Sequence, residues 1–582
     1  MSSPTARAES PPGGGARATL AGAAAAVLWV AWCVRWFDVA APWRPSALAA
    51  LPPLVLVVAG AALLFVWLRA RAPLLWGAPL ERAALAGLLL VVALAVLARL
   101  PFVVQGAAAV ITPDGTVYGI VTLRILAGAE RLVFLPSQPY GGTLTSHLVA
   151  PLASVMDLAR AFALGSVLFY AAYVAGLYRL TSWLFGARTA LVAGLYAVFS
   201  PVMVTRYSLN NDGTYVELLA SGTWALWLAA RWLEEKERRP PLAFAVGLLL
   251  GLCLWYHLVA VIHVAAVGLA FLLFGGRHLP RSVAALASGS ALGCTPALLW
   301  NAANDWQTLE YLLPGMARDG EAGTALLGDL GEKLAAMVTG DWPVLMGYDQ
   351  GYGGALDRLL LALGWLGVAV AIVSVGRAAA TAVRTRSKPL LLLLLFVAIN
   401  LAVVLLALRH VPGNPRYLLC LMSVLPAFIA DAFGTGWRRA LLLVLIAGSA
   451  LASLAQLPPT MRKDARWRSF VARLETEGVR FCYTDFHLAT PINFLSRERV
   501  VCSAKLGPFT TEFFTDFRRR VEAAPEAAFI AVNRTAAGRL ERRLGELGVG
   551  YERLDLMKPV LLRLARKVDP AELFPGREFP LR

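Results

Sequence analysis

Charge is scarce in this chain: Asp, Glu, Lys and Arg make up 16% of its 582 residues, against about 25% in a soluble globular protein. That scarcity excludes an ordinary soluble enzyme. Acidic residues are scarcer than basic ones, 37 against 54, leaving a net charge of +17. No basic stripe with interleaved aromatics stands on a soluble module, so nucleic acid is not read as a partner. Cysteine is rare as well: Cys33, Cys253, Cys294, Cys420, Cys482 and Cys502 include no CxxC pair. The six histidines show no HExxH or other metal-ligand spacing, which argues against a zinc site. GxSxG is missing, and with it support for a serine hydrolase. Gly 50 and Pro 34 are too few and too unperiodic for a fibrous or disordered protein.

What is abundant is apolar surface: 58% hydrophobic residues and a mean hydropathy of +0.63. A membrane-spanning helix needs about 20 mostly apolar residues. On that yardstick, runs near 18–36, 48–68, 83–104, 160–183, 187–205, 214–233, 241–256, 258–275, 281–300, 357–377, 388–408, 415–433 and 437–456 read as spans. The chain is thus expected to be an α-helical polytopic membrane protein with about thirteen transmembrane helices. Residues 1–17 are Pro/Gly/Ser-rich and polar, and read as a disordered cytoplasmic start. Alternate loops hold Arg69, Arg71, Arg188, Arg277, Arg384, Arg386 and Lys388, whereas the long 301–356 loop holds only Arg318 and Lys333 among eight acids. Positive residues collect inside. The N-terminus is therefore read as cytoplasmic, with the 105–159 and 301–356 loops and the tail outside. Bacterial inner membrane is the expected location.

The tail, 459–582, changes character. FCYTDF, RVVCSAK, AAFIAVN, YERLDL and PVLLRLA are strand-like, and TEFFTDFRRRVEAA and TAAGRLERRLGELG have helical periodicity between them. Such alternation predicts a small C-terminal α/β domain. It carries neither GxGxxG nor a Walker loop. Cys482 and Cys502 could pair there if the domain faces an oxidising compartment.

Chemistry concentrates in the first outer loop. Asp114 follows the third span closely, and Thr116 to Ala129 has amphipathic helical spacing that suits a helix lying along the interface. Asp114 is either the N-cap of that helix or a catalytic carboxylate, and spacing alone leaves both open. Asp212, in NNDG, has turn chemistry. Trp255, Tyr256 and His257 sit at an outer helix turn, where an aromatic belt needs no further function.

The order of features resembles GT-C glycosyltransferases, specifically relatives of family 39, which includes protein O-mannosyltransferases and the lipid A aminoarabinose transferase. A helix ending in Leu100-Pro101 is followed by Asp114. Ser137-Gln138-Pro139-Tyr140-Gly141-Gly142-Thr143-Leu144 is similar to the family's GQPYMGSL-like stretch. Gly213-Thr214-Tyr215-Val216-Glu217 resembles its GGYxET-like segment, and Arg416-Tyr417-Leu418-Leu419 its RYLL-like element. Two departures stand out: Gly115 follows Asp114 where a second acid is common, and Thr145 replaces the acid of the GSLE-like run. Two helices over 18–82 stand outside the resemblance as an addition to it. The resemblance implies a catalytic core over 83–458 and transfer of a sugar from a polyprenyl-phosphate donor on the outer face. The acceptor hydroxyl would belong to a lipid, polysaccharide or protein. Asp114 would be the base. Glu217, Gln138, Tyr140, Tyr215, Arg416 and Tyr417 would hold the donor, with Arg416 on the leaving phosphate and Arg409, His410 and Arg206 as alternatives. No metal ligand set is legible, and a divalent cation stays an open question with fewer carboxylates than the family pattern. A lipid-linked-oligosaccharide flippase and an inactive homologue are the competing readings.

Overall fold

The computed structural model describes residues 14–76, 79–235, 240–312, 330–348, 354–406, 415–506, 512–556 and 558–573. Residues 1–13, Arg318, Asp319, Glu321, Asp329, Asp349, Arg409 and His410 lie outside these stretches.

Every apolar run expected to span is occupied by helix. Among the described residues, seven of these helices are long and apolar enough to cross a membrane on their own, fewer than the thirteen runs read as spans; they include Pro53–Ala72, Leu158–Phe185 and Gly354–Thr385. Two further candidates are bent pairs: Gly276–Gly293 with Thr295–Ala303 turns by 70°, and Pro415–Ser423 with Leu425–Phe433 by 61°. In both, a proline opens the second helix, where its missing N–H costs nothing.

Small residues decide how closely the bundle closes. The Pro240–Tyr256 helix packs on Leu279–Gly293 through reciprocal pairs four residues apart. A Cβ added to Gly247 or Gly251 would lie 2.0 or 2.1 Å from the carbonyl oxygen of Leu286 or Ser290. On the facing helix, one added to Gly289 or Gly293 would lie 2.1 or 2.2 Å from that of Phe244 or Leu248. Backbones in lipid approach this way because apolar side chains gain nothing by leaving the bilayer, so direct contact between helices must hold them. The first two helices dock by donated hydrogen bonds. Trp29 Nε1 reaches the Leu292 carbonyl at 2.9 Å, while Arg179 and Arg231 donate to the carbonyls of Trp76 and Leu75.

In the 105–159 loop, Phe134–Leu135 (β1) and Gln138–Gly142 (β2) pair as a small antiparallel hairpin. The final span does not stop at the membrane. Arg438–Thr476 is one helix of 39 residues that runs through position 458 into the tail. There a five-stranded mixed sheet is built from Phe481–Tyr483 (β3), Val501–Ser503 (β4), Ala528–Ala531 (β5), Tyr551–Asp555 (β6) and Val560–Leu564 (β7). Its strand order is β4-β3-β5-β7-β6. β3 runs parallel to β4 and β5, and β7 antiparallel to β5 and β6. All five strands fall on the runs read as strands, and both expected helices form, at Thr515–Ala523 and Arg534–Glu546. A third helix, Phe486–Leu495, is one that the sequence reading does not contain. Its Asn493 side chain pins β4 by donating to Cys502 O and accepting from Cys502 N, at 2.9 and 2.7 Å. Cys482 and Cys502 face each other across β3 and β4 and form a disulfide.

The tail shares its core with the 105–159 loop: Val117, Tyr118, Phe162, Phe494, Cys502 and Phe529 belong to one apolar cluster. The loop helix spans Pro113–Leu126, and ten of its fourteen residues are buried. It does not lie along an interface as its periodicity suggested, because the Phe486–Leu495 helix covers the face that lipid would have taken. A Cβ on Gly119 would lie 2.1 Å from the Phe494 ring. Arg124 fixes the contact, donating to both oxygens of Asp516 at 2.8 Å and to Glu130 at 3.0 Å.

Candidate active site

The site begins with a cap. Thr112 Oγ1 accepts the Gly115 N–H at 2.9 Å, so Thr112 and not Asp114 is the N-cap of Pro113–Leu126. Pro113 takes the first helical position, where it loses nothing. Asp114 therefore keeps both carboxylate oxygens free of capping, with its side chain 48% exposed.

A buried arginine delivers the second element. Arg99, 1% exposed, donates to Ser208 Oγ at 2.6 Å, Ser200 Oγ at 3.2 Å and the Val198 carbonyl at 3.0 Å. It thereby fixes the segment that leads to Asn210-Asn211-Asp212. The chain then reverses through two successive left-handed residues, Gly213 (φ 63°) and Thr214 (φ 56°). A β-branched residue resists that conformation, at ~1–2 kcal/mol. The Thr214 hydroxyl offsets part of the cost by donating to the Tyr256 carbonyl at 2.9 Å. Strain held this way clusters at functional sites. Here it turns Asp212 toward Asp114 and starts the Tyr215–Glu234 helix.

Arg416, in the first turn of the bent Pro415–Phe433 pair, closes the constellation. Its Nη1 lies 3.8 Å from Asp114 Oδ2 and 4.0 Å from Asp212 Oδ1. The Asp212 side chain is 10% exposed. Burial, followed by the adjacent negative charge of Asp114, pushes its carboxyl up to about 7, against the opposing pull of Arg416. Asp212 Oδ1, Asn211 Nδ2 and Arg416 Nε are buried and make no hydrogen bond. Polar atoms left so are rare in a folded interior and call for an explanation. A polar ligand entering between Asp114 and Arg416 supplies one.

Aromatic rings wall the constellation. The His257 ring stands 5.6 Å from that of Tyr140 and 5.5 Å from that of Tyr215, and Tyr215 in turn meets Tyr207 at 5.7 Å and Tyr417 at 6.4 Å. Burial and then the Arg416 charge hold the His257 imidazole down to about 4, so the ring is neutral. Its Nδ1 accepts the Val259 N–H at 3.0 Å. Trp255 and Tyr256 are buried instead of forming an exposed belt, the Trp255 ring meeting Phe37 at 5.7 Å and the Tyr256 ring meeting Phe169 at 6.3 Å. The β1–β2 hairpin carries Gln138 and Tyr140. It is pressed against the helix ending at Tyr256, since a Cβ on Gly142 would lie 2.0 Å from the Trp255 carbonyl oxygen.

Glu217 lies one turn deeper and is fully buried. Thr145 donates to its Oε1 at 2.7 Å, and Oε2 has no partner. The threonine that replaces a family acid thus serves this carboxylate. Tyr118, 2% exposed, lies near enough to Glu217, Asp212 and Asp114 for their charges to add to burial in raising its phenol.

The structure therefore gathers Asp114, Arg416, Tyr140, Tyr215 and Tyr417 in one place, with Gln138 on the adjoining hairpin and Glu217 beneath. Arg206 lies on the short Val202–Tyr207 helix, which packs against Arg438–Thr476, and its charge acts on Lys463. Sequence reasoning missed Asp212 and His257, read as turn and belt residues, and did not weigh Tyr118 or Tyr207. Three polar residues in succession, Asn210-Asn211-Asp212, entering an apolar helix were the available signal. The residues do not fit a bound divalent cation: the Arg416 guanidinium stands within reach of both carboxylates, and among the described residues no three His, Cys, Asp or Glu side chains gather as ligands.

Residues 138–300 match the family model of dolichyl-phosphate-mannose-protein mannosyltransferases. No curated protein matches the chain in sequence. Among solved structures, ArnT from Cupriavidus metallidurans bound to undecaprenyl phosphate is similar with a TM-score of 0.52 at 12% identity, over 81% of this chain and 97% of that one. Its apo state gives 0.50 at 12%, over 82% and 98%. The archaeal oligosaccharyltransferase AglB from Archaeoglobus fulgidus, in complex with an inhibitory peptide and a dolichol-phosphate, gives 0.48 at 13%, over 84% and 74%. With the ArnT fold running through four fifths of its length and the match to the mannosyltransferase family model beginning at Gln138, the chain is a polytopic membrane protein that resembles the glycosyltransferases of family 39.

Proposed function

We propose that the chain is a membrane glycosyltransferase that moves a sugar from a polyprenyl-phosphate-linked donor to an acceptor hydroxyl on the outer face of a bacterial inner membrane. The observation that carries this reading is Arg416 held between Asp114 and Asp212, at 3.8 and 4.0 Å. A hydroxyl is a weak nucleophile, and a carboxylate within hydrogen-bond reach takes its proton as attack on the anomeric carbon begins, a contribution of typically about 10²–10⁴-fold. Asp114, the accessible member of the pair, has that role. The leaving group is a lipid phosphate whose oxygen gains negative charge as the glycosidic bond breaks. Arg416 meets that charge with a planar, always-protonated fork that suits phosphate.

Tyr215, Tyr417 and Tyr140 present ring faces and hydroxyls to the sugar, Gln138 adds an amide, and Glu217 orients hydroxyls from below through its unpartnered oxygen. The crystallised ArnT binds undecaprenyl phosphate, a carrier of the class proposed. A disulfide in the tail supports an oxidising, extracytoplasmic compartment for it, and with it a cytoplasmic N-terminus. The acceptor is a lipid, polysaccharide or protein hydroxyl.

The test uses the purified chain and an Asp114→Asn variant with a panel of polyprenyl-phosphate sugars and cell-envelope extract, reading release of free polyprenyl phosphate. Wild type releases the carrier from at least one donor, and the variant is slower by a factor on the order of 10² or more. Equal release by both removes Asp114 as the base. Movement of intact lipid-linked sugar across vesicles without release would establish a flippase instead.

A further inference from the structure

The molecule has a polar concavity at the end of the bundle opposite Asp114. The Tyr215–Glu234 helix starts at the site, and its last residues, Leu233 and Glu234, line a cavity of about 670 Å³. At 1.5 Å rise per residue the two sites lie roughly 30 Å apart. The ends of Leu158–Phe185 and Gly354–Thr385 and the start of Lys388–Leu406 complete the walls.

Four cations, Arg377, Arg384, Arg386 and Lys388, line this cavity against two carboxylates, Glu234 and Asp431. Arg377 is engaged by Asp431 at 3.5 Å. Among the described residues, the other three cations make no ion pair. Arg386 stands in the left-handed region at φ 51°, a state its Cβ resists. That turn brings Arg384, from the end of one helix, and Lys388, from the start of the next, to the same cavity. Simple retention of positive residues on an inner face predicts cations scattered over convex surface, as Arg438 and Arg439 are, exposed at a helix start. Convergence on a concave site is a different arrangement. Leu184, Phe185, Leu233 and Leu390 add an apolar side to the same cavity.

We propose that this cavity binds the phosphate headgroup of an anionic phospholipid of the surrounding bilayer. Arg384 and Arg386 would take the phosphate as forks and Lys388 as a point charge, while the leucines and Phe185 receive the glycerol and the start of the acyl chains. Basic cavities between helix ends are suited to anionic headgroups. The paired apolar wall favours a lipid over free phosphate.

The full-length chain in detergent, titrated with phosphatidylglycerol, phosphatidylcholine or inorganic phosphate and read by native mass spectrometry, tests this. Phosphatidylglycerol is expected to bind at least tenfold tighter than phosphatidylcholine and to resist displacement by equimolar inorganic phosphate. The triple variant Arg384→Gln/Arg386→Gln/Lys388→Gln loses that preference, whereas Arg438→Gln/Arg439→Gln, on the same face outside the cavity, retains it. All five positions are exposed, and an unchanged elution profile reports that both variants fold. Equal binding of the two lipids, or equal loss in both variants, would overturn the proposal. Displacement by inorganic phosphate would overturn the lipid as the source of the phosphate.

Discussion

Replacing Asp212 with asparagine removes the most heavily perturbed carboxyl outside the spans while keeping its shape. Burial and the neighbouring Asp114 charge raise this group from its ordinary 3.8 to about 7. A carboxyl raised on folding contributes stability that is fully present below its unfolded value and is lost as pH climbs through its folded value. At about 1.4 kcal/mol for each tenfold change in proton affinity, the interval from 3.8 to about 7 is worth ~4 kcal/mol at most. The part of that interval above pH 5 is worth ~3 kcal/mol. Asp114 is half exposed, so solvent screens the share it contributes, and roughly 1–3 kcal/mol is the expected loss between pH 5 and pH 8.5. An asparagine cannot ionise, so Asp212→Asn escapes this loss. Thermal unfolding of both proteins in detergent at the two pH values gives the comparison. The difference between them should move in favour of the variant on going from pH 5 to pH 8.5. A difference that stays the same at both pH values would refute the reasoning, because it would place the effect in packing instead of in ionisation.

Two further outcomes follow from the site. Thr145→Val takes away the hydroxyl that donates to buried Glu217. Leaving a buried acceptor unmet costs about 1–3 kcal/mol, and more for a charged group, so the unfolding temperature in detergent should fall; a variant as stable as wild type would show that Glu217 does not depend on Thr145. Because Arg416 is held between the two carboxylates, chelator at millimolar concentration should leave carrier release unchanged, and a loss restored by added magnesium or manganese would contradict that assignment.

Much of the fold was legible because lipid imposes a simple code. Uninterrupted apolar runs must be helices, since no water is present to satisfy an open backbone, and the runs read as spans are helical in their described residues, although seven of them, or nine with the two bent pairs, are long and apolar enough to cross a membrane. The strands of the tail were equally legible, because FCYTDF and PVLLRLA offer β-branched and aromatic residues between polar turns. The sequence was misleading where partners are distant in the chain. The helix after Thr112 has the pattern of an interfacial helix, and nothing local reveals that Phe494, far along the chain, covers it. The packing of Gly247 and Gly251 on Gly289 and Gly293 was written in the sequence as two four-residue spacings, yet it concerns helix approach and not chemistry. At the site, Asp114, Glu217 and Arg416 could be singled out by residue type and order. Asp212 could not, because a turn and a buried carboxylate share the NNDG signature until the position of Arg416 separates them. His257 resembled a belt residue for the same reason: aromatics near a helix end look alike whether they face lipid or a site.

The central claim is that Asp114 and Arg416 act as one unit on the same transfer. Single-turnover release of polyprenyl phosphate from wild type, Asp114→Asn, Arg416→Gln and the double variant measures it directly. Groups that act together are non-additive, so each single variant should lose a factor on the order of 10² or more, and the double variant should be about as slow as the slower single one. Losses that multiply in the double variant, or an Asp114→Asn protein that turns over at the wild-type rate, would contradict the account.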